Sequence, residues 1–158
     1  MWTSFFFVQL IASFVGSAAF AVIFKTRPKH IPWAALGGAI TYFIYYIIEF
    51  SFSSLFAAAF FASVVSALYS EFSARIFRAP TTIFLIPCAI PIVPGGSLYY
   101  TMFNLISKDV DPALMYFSNT LSVAIGIAGG VAAVTLAFHF FNGAMAHLHA
   151  KQQSENDK

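Results

Sequence analysis

Charge and cysteine are both scarce in this chain. Its 158 residues hold 8 Lys and Arg, 6 Asp and Glu, and one cysteine, Cys88. With 9% charged against 59% hydrophobic residues and a mean hydropathy of +0.80, polar side chains are too few to cover a particle folded in water. The composition is that of an integral membrane protein. A net charge of +2 provides no basic face, which excludes nucleic-acid binding. One thiol cannot close an internal disulfide, and without a neighbouring Cys or His it makes no zinc pattern. No Gly-rich phosphate loop occurs, so the chain does not itself use ATP, and no motif calls for a metal or another cofactor.

What the chain has in plenty is long uncharged runs. A helix needs about 20 apolar residues to cross a hydrocarbon core of roughly 30 Å. Five runs meet this, at residues 2–24, 33–50, 51–70, 81–107 and 113–141. They predict an all-α transmembrane domain over residues 1–142. The first run is too long for a secretory signal and has Lys25, Arg27 and Lys29 behind it rather than in front, so it is expected to stay as an anchor. From Gly143 the composition turns polar, which reads as a short solvated tail over 143–158; His147 and His149 in it lack a third ligand at metal spacing.

Basic residues set the orientation. Five crossings put Lys25, Arg27, Lys29, Arg75, Arg78, Lys151 and Lys158 on one side and Lys108 alone on the other. The positive-inside rule then gives an outside N-terminus and a cytoplasmic C-terminus in the cell membrane. A fourth segment that dipped in and returned would move Lys108 in and the two tail lysines out, a poorer division. Five crossings are therefore expected.

Small residues recur at four-residue spacing in the third run: Ser54, Ala58, Ala62, Ser66, Ser70 and Ala74. In lipid, where apolar surface alone does not drive association, such stripes let helices approach closely. Gly126 and Gly130 offer the same device in the fifth run. Both patterns speak for packing rather than chemistry.

The fourth run carries Pro87, Pro91 and Pro94, followed by Gly95, Gly96 and Ser97. Proline has no N–H, so in a helical register the carbonyls of Ile83, Pro87 and Ile90 lose their usual partners. Ser97 is expected to cap a second half-helix over Leu98 to Ile106, its free N–H groups facing the break. Irregular backbone at membrane depth is tolerated only where it is buried in protein or lines a wet cavity. In secondary transporters such breaks hold substrate. A carboxylate suits the half-helix start and an ammonium suits the freed carbonyls, while Tyr100 and Asn104, four apart, are expected to face the same cavity. These positions form the candidate substrate pathway.

The stretch Ile86 to Met102, IPCAIPIVPGGSLYYTM, resembles the signature of the threonine/serine exporter family, specifically its smaller integral-membrane subunit. Its Pro-x-x-x-Pro-x-x-Pro-Gly core followed by Tyr carries the likeness. The chain length, the basic first loop with Trp33 after it and the order of apolar runs extend the resemblance over nearly the whole chain. The resemblance implies one half of an exporter for threonine and serine, some relatives being associated with succinate and similar dicarboxylates. It also implies a larger membrane subunit as partner, since some members fuse the two halves and others split them, and it leaves room for a higher oligomer. Pro91, Pro94, Gly95 and Tyr100 carry over as motif positions.

Glu49 is the only acid inside a predicted span, a candidate for ion coupling or gating that also suits an interfacial anchor. His139, near the cytoplasmic end of the fifth run, is the second such candidate. Glu71 and Arg75, four apart, read as a helix ion pair. Catalysis by Ser97 with His139 would need the two within hydrogen-bond reach, which their separate segments disfavour.

Overall fold

The apolar runs become helices because nothing inside them interrupts backbone pairing, and hydrocarbon leaves backbone polar groups no alternative partner. The computed structural model describes the backbone of residues 2–156 and the side chains of residues 6–140. Helix α1 spans Trp2–Ile23, α2 Ile31–Phe52, α3 Leu55–Phe77, α4 Thr82–Ala89, α5 Gly95–Ile106 and α6 Val110–Asn156. Short 3-10 turns at Pro28–His30 and Ile90–Ile92 precede α2 and follow α4. Four helices are long and apolar enough to cross a membrane, and α4 with α5 makes a fifth span if taken together.

Several boundaries differ from the expected ones. The second and third runs divide at Ser53–Ser54, not at 50–51, because Ser53 takes the left-handed conformation (φ 48°) and Ser54 Oγ accepts from the Ala57 amide. Ser54 therefore caps α3 instead of packing in its stripe. Helix α3 then runs on to Phe77, which puts Glu71 and Arg75 in its last turns. The backbone of α6 stays helical to Asn156, well past Gly143. The side chains of the expected tail, His147 and His149 included, lie outside the described residues.

Helix α4 packs across α1, α2 and α3, whereas α5 packs on α6. Helix α6 in turn lies along α3. Gly126 sits against Phe56 and Ala59, Gly130 against Phe60 and Ser63, and Phe138 against Phe72. Residue numbers rise together on the two helices, so α3 and α6 run parallel. A re-entrant α4–α5 would return the chain to the end where α3 stops and make α6 antiparallel. The register therefore requires that α4 and α5 together carry the chain from one end of the bundle to the other.

The interior is made of small and hydroxylic residues, and the bulky apolar ones face outward. Ala58, Ala62, Ser66, Ser70 and Ala74 are all buried, and Ala74 joins Ala21, Ala34 and Phe84 in one core cluster. The stripe thus faces α2 and α4, while a second seam through Ala59 and Ser63 receives the α6 glycines. Phe7, Ile11, Phe50, Ile76, Ile106 and Phe140 are among the exposed side chains. That arrangement suits a lipid surround, in which close approach and interhelical hydroxyls replace hydrophobic collapse.

The expected Glu71–Arg75 pair does not form. Arg75 lies over the Phe138 ring, 4.7 Å from its centroid, and Glu71 accepts from the Thr81 hydroxyl at 3.2 Å. A ring on the adjoining helix offers the guanidinium a partner that also joins α3 to α6. Arg75→Ala should therefore lower stability by about 1 kcal/mol. Glu71→Gln, which keeps an acceptor for Thr81, should stay within about 0.5 kcal/mol. Thermal unfolding in detergent measures both, and equal losses would restore the ion pair.

Candidate functional site

Helix α4 ends because of its prolines. Pro87 lies inside it, and Pro91 within the following 3-10 turn withholds the N–H that the Pro87 carbonyl would otherwise receive. Val93 then turns extended (ψ 129°), and α5 leaves at an angle of 51° to the preceding segment. The break expected from Pro87, Pro91 and Pro94 is present, but its details differ in two ways.

First, Ser97 is not a cap. The half-helix starts two residues earlier at Gly95, with Pro94 at the cap position and no side chain capping the start. Gly95 and Gly96 both take helical conformations, so Ser97 falls in the first turn; its carbonyl accepts from Thr101 Oγ1 at 2.7 Å. Second, the Ile90 carbonyl is not free. Val93 N–H donates to it at 3.2 Å, and Gly95 N–H donates to the Val93 carbonyl at 2.8 Å. The 3-10 turn thus reuses one of the three acceptors that proline would have orphaned.

The amide end of the break survives as an anion-binding geometry. Leu98 N–H bonds the Pro94 carbonyl, which leaves the amides of Gly96 and Ser97 unused by the described residues. Gly95 and Gly96 are exposed, and neither would meet a neighbour if it carried a Cβ. Two unpaired amides at the start of a 12-residue helix carry its positive dipole end.

Tyr100 and Asn104 are on α5, and each has a partner of its own. Tyr100 stacks on Tyr116 of α6, with ring centroids 5.2 Å apart. Asn104 Nδ2 donates to the Tyr100 carbonyl at 2.8 Å, its own helix having the nearest acceptor. Glu49 is half-buried near the end of α2, in an open recess lined also by Phe50, Ser53 and Leu55. His139 is exposed on α6 beside Phe138. Tyr100 and Tyr116 lie at one level, so Ser97 and His139 stand about 30 Å apart along α6 at ~1.5 Å per residue. They form no catalytic pair.

Several contacts around the break were not read from the sequence. Gly37 and Gly38 on α2 allow α1, α3 and α4 to close in together. A Cβ on Gly37 would collide with Cys88 Sγ and with the Tyr69 ring at 2.6 Å; one on Gly38 would collide with Ser17 and come within 3.5 Å of the Pro87 carbonyl. The Gly37-Gly38 pair inside an apolar run was the available signal. Tyr42 OH donates to Gln9 Oε1 at 2.7 Å, joining α1 to α2. Nothing in the local pattern singled out that pair, because it is 33 residues apart.

A bundle of this kind, with four helices long and apolar enough to cross a membrane and a further span broken by prolines, defines a multi-pass helical membrane protein. The family model described as Threonine/Serine exporter, ThrE, matches residues 9–137, and the chain belongs to that family. The family is one of transporters. No curated protein and no solved structure matches the chain.

Proposed function

We propose that this protein is one membrane half of a secondary-type exporter for small amino acids, threonine and serine, and that it works with a larger membrane subunit of the same family. The chain lies in the cell membrane with its N-terminus outside and its C-terminus in the cytoplasm. The observation that carries this reading is the exposed, uncapped start of α5. Gly96 and Ser97 offer unpaired amides at a depth where lipid cannot satisfy them, so another membrane protein or a wet pathway must. Helix α5 packs on α6 alone among the longer helices, leaving its other side for a partner.

The amides suit the carboxylate of an amino acid. The carbonyls of Ile90, Val93 and Pro94 are already bonded, and the ammonium group is assigned to the remaining break carbonyls or to the partner's side of the pathway. Pro87, Pro91, Pro94 and Gly95 shape the break, Tyr100 and Asn104 flank it, and Glu49 at the outer recess is the coupling or gating acid, with His139 the second candidate. Arg75, Arg78 and Lys108 all lie at helix ends, which favours an amino acid over a dicarboxylate needing a second cation within the span.

Efflux tests this directly. Cells loaded with labelled threonine or labelled succinate should export threonine, and only when this chain and its larger partner are expressed together. Succinate efflux without threonine efflux would overturn the substrate and keep the carrier. Full threonine efflux from the partner alone would reduce this chain to an assembly subunit.

A further inference from the structure

The basic end of the bundle is closed by aromatic rings. His30, in the turn before α2, meets Phe77 of α3 edge-on at 5.1 Å and Phe84 of α4 at 5.6 Å; Phe77 and Phe84 are 5.8 Å apart, and Trp33 covers Phe77 at 5.4 Å. His30 is 2% exposed, and its Nδ1 has no hydrogen-bond partner among the described residues. A polar ring held against hydrocarbon without a partner is poor static packing.

Behind this layer the interior is polar. Ser17 of α1 and Ser66 of α3 are fully buried, and their hydroxyls have no partner among the described residues. Ser70 and Cys88 are buried between them and the rings, and Cys88 Sγ faces the Ala34 carbonyl at 3.6 Å. Packing for its own sake would place apolar side chains at these positions, since a buried hydroxyl without a partner is costly. The element that carries Phe84 is short and bounded by prolines: α4 is 8 residues long, follows Pro80, and has Pro87 one turn beyond Phe84, so the Ile83 carbonyl lacks its helical donor.

We propose that His30, Phe77 and Phe84 form the inner gate of the transport pathway, opened when the short α4 swings, and that Ser17, Ser66 and Cys88 line the path that this opening uncovers. This gate rests on the exporter reading, but its test reads access rather than transport. Cys88 is the chain's single cysteine and is fully buried behind the rings, so it reports on opening.

Membrane vesicles of either sidedness, holding the full chain with its partner, would be treated with a membrane-impermeant maleimide and the adduct on this chain read by mass. In the resting protein Cys88 should stay unlabelled from both faces. Threonine supplied at the basic face should speed labelling from that face, and Phe84→Ala should do so without substrate by about tenfold or more, since labelling follows the open population. Phe61→Ala, which removes an outward-facing ring of α3 that takes no part in the gate, should leave Cys88 protected, which guards against reading a general loss of packing as opening. Protection of Cys88 in Phe84→Ala, or labelling from the opposite face alone, would overturn the gate. Faster labelling of Phe84→Ala in a complex that moves neither threonine nor succinate would keep the gate and overturn the exporter reading.

Discussion

Replacing Gly130 with Leu is expected to remove most of the folded protein from detergent extracts. A Cβ there would lie 2.6 Å from the Phe60 carbonyl oxygen and 3.1 Å from the Val64 nitrogen, besides striking Ser63 Oγ. The first two are backbone atoms of α3 and cannot turn aside as a side chain can. Because lipid solvates apolar surface as well as another helix does, the α3–α6 seam holds by close approach, and pushing the helices apart forfeits it. Overpacking alone costs about 1–3 kcal/mol, and loss of the seam adds to it. Gly129, one residue away, is the control. A Cβ there would meet only the Phe60 ring at 3.6 Å, ordinary contact, so Gly129→Ala should be neutral or stabilise by up to ~1 kcal/mol through helix propensity. Size-exclusion profiles and melting temperatures of the two variants measure the contrast. An unchanged melting temperature for the Leu variant would mean that α6 does not sit on α3 as described.

Pro91→Ala should stop transport while leaving the protein in the membrane. Alanine returns an N–H to position 91, where the Pro87 carbonyl is its natural acceptor one turn back. Relief of an interior proline favours continuous helix by about 3 kcal/mol, on the order of a hundredfold in the balance between broken and continuous forms. A continuous helix would carry α5 away from the 51° bend that lays it on α6, and would separate Tyr100 from Tyr116. Threonine efflux at matched membrane levels should then fall by about tenfold or more, with the complex recovered intact. Loss of complex and efflux in parallel would speak for an assembly role, and undiminished efflux would remove the break from the pathway.

The break shows how far local pattern reaches. Three prolines state which N–H groups are missing, and that depends on the residues alone, so the interruption was legible. Where the half-helix begins was not, because a 3-10 turn and an early helical Gly95 competed successfully with Ser97 as a cap. The partners of Tyr100 and Asn104, expected to face one cavity, were out of reach for a related reason. Spacing places two side chains on a helix face, but their partners are whatever lies opposite, here Tyr116 and the helix's own carbonyl. The aromatic closure at His30, Phe77 and Phe84 left no local trace, since its members come from three segments and an apolar run gives every Phe the same rank.

From the sequence alone came the membrane class, the five apolar runs, the proline-broken fourth and the likeness to a transporter family, all of which rest on composition, run length and backbone chemistry within a few residues. Only the tertiary structure decided that α6 runs parallel to α3, that the small stripe of α3 faces α2 and α4 while Ala59 and Ser63 receive Gly126 and Gly130, and that Arg75 lies on Phe138 instead of pairing with Glu71. In a bilayer every helix is apolar all round, so hydrophobic periodicity no longer marks a buried face. Close approach, which depends on the shapes of two helices at once, chooses it instead.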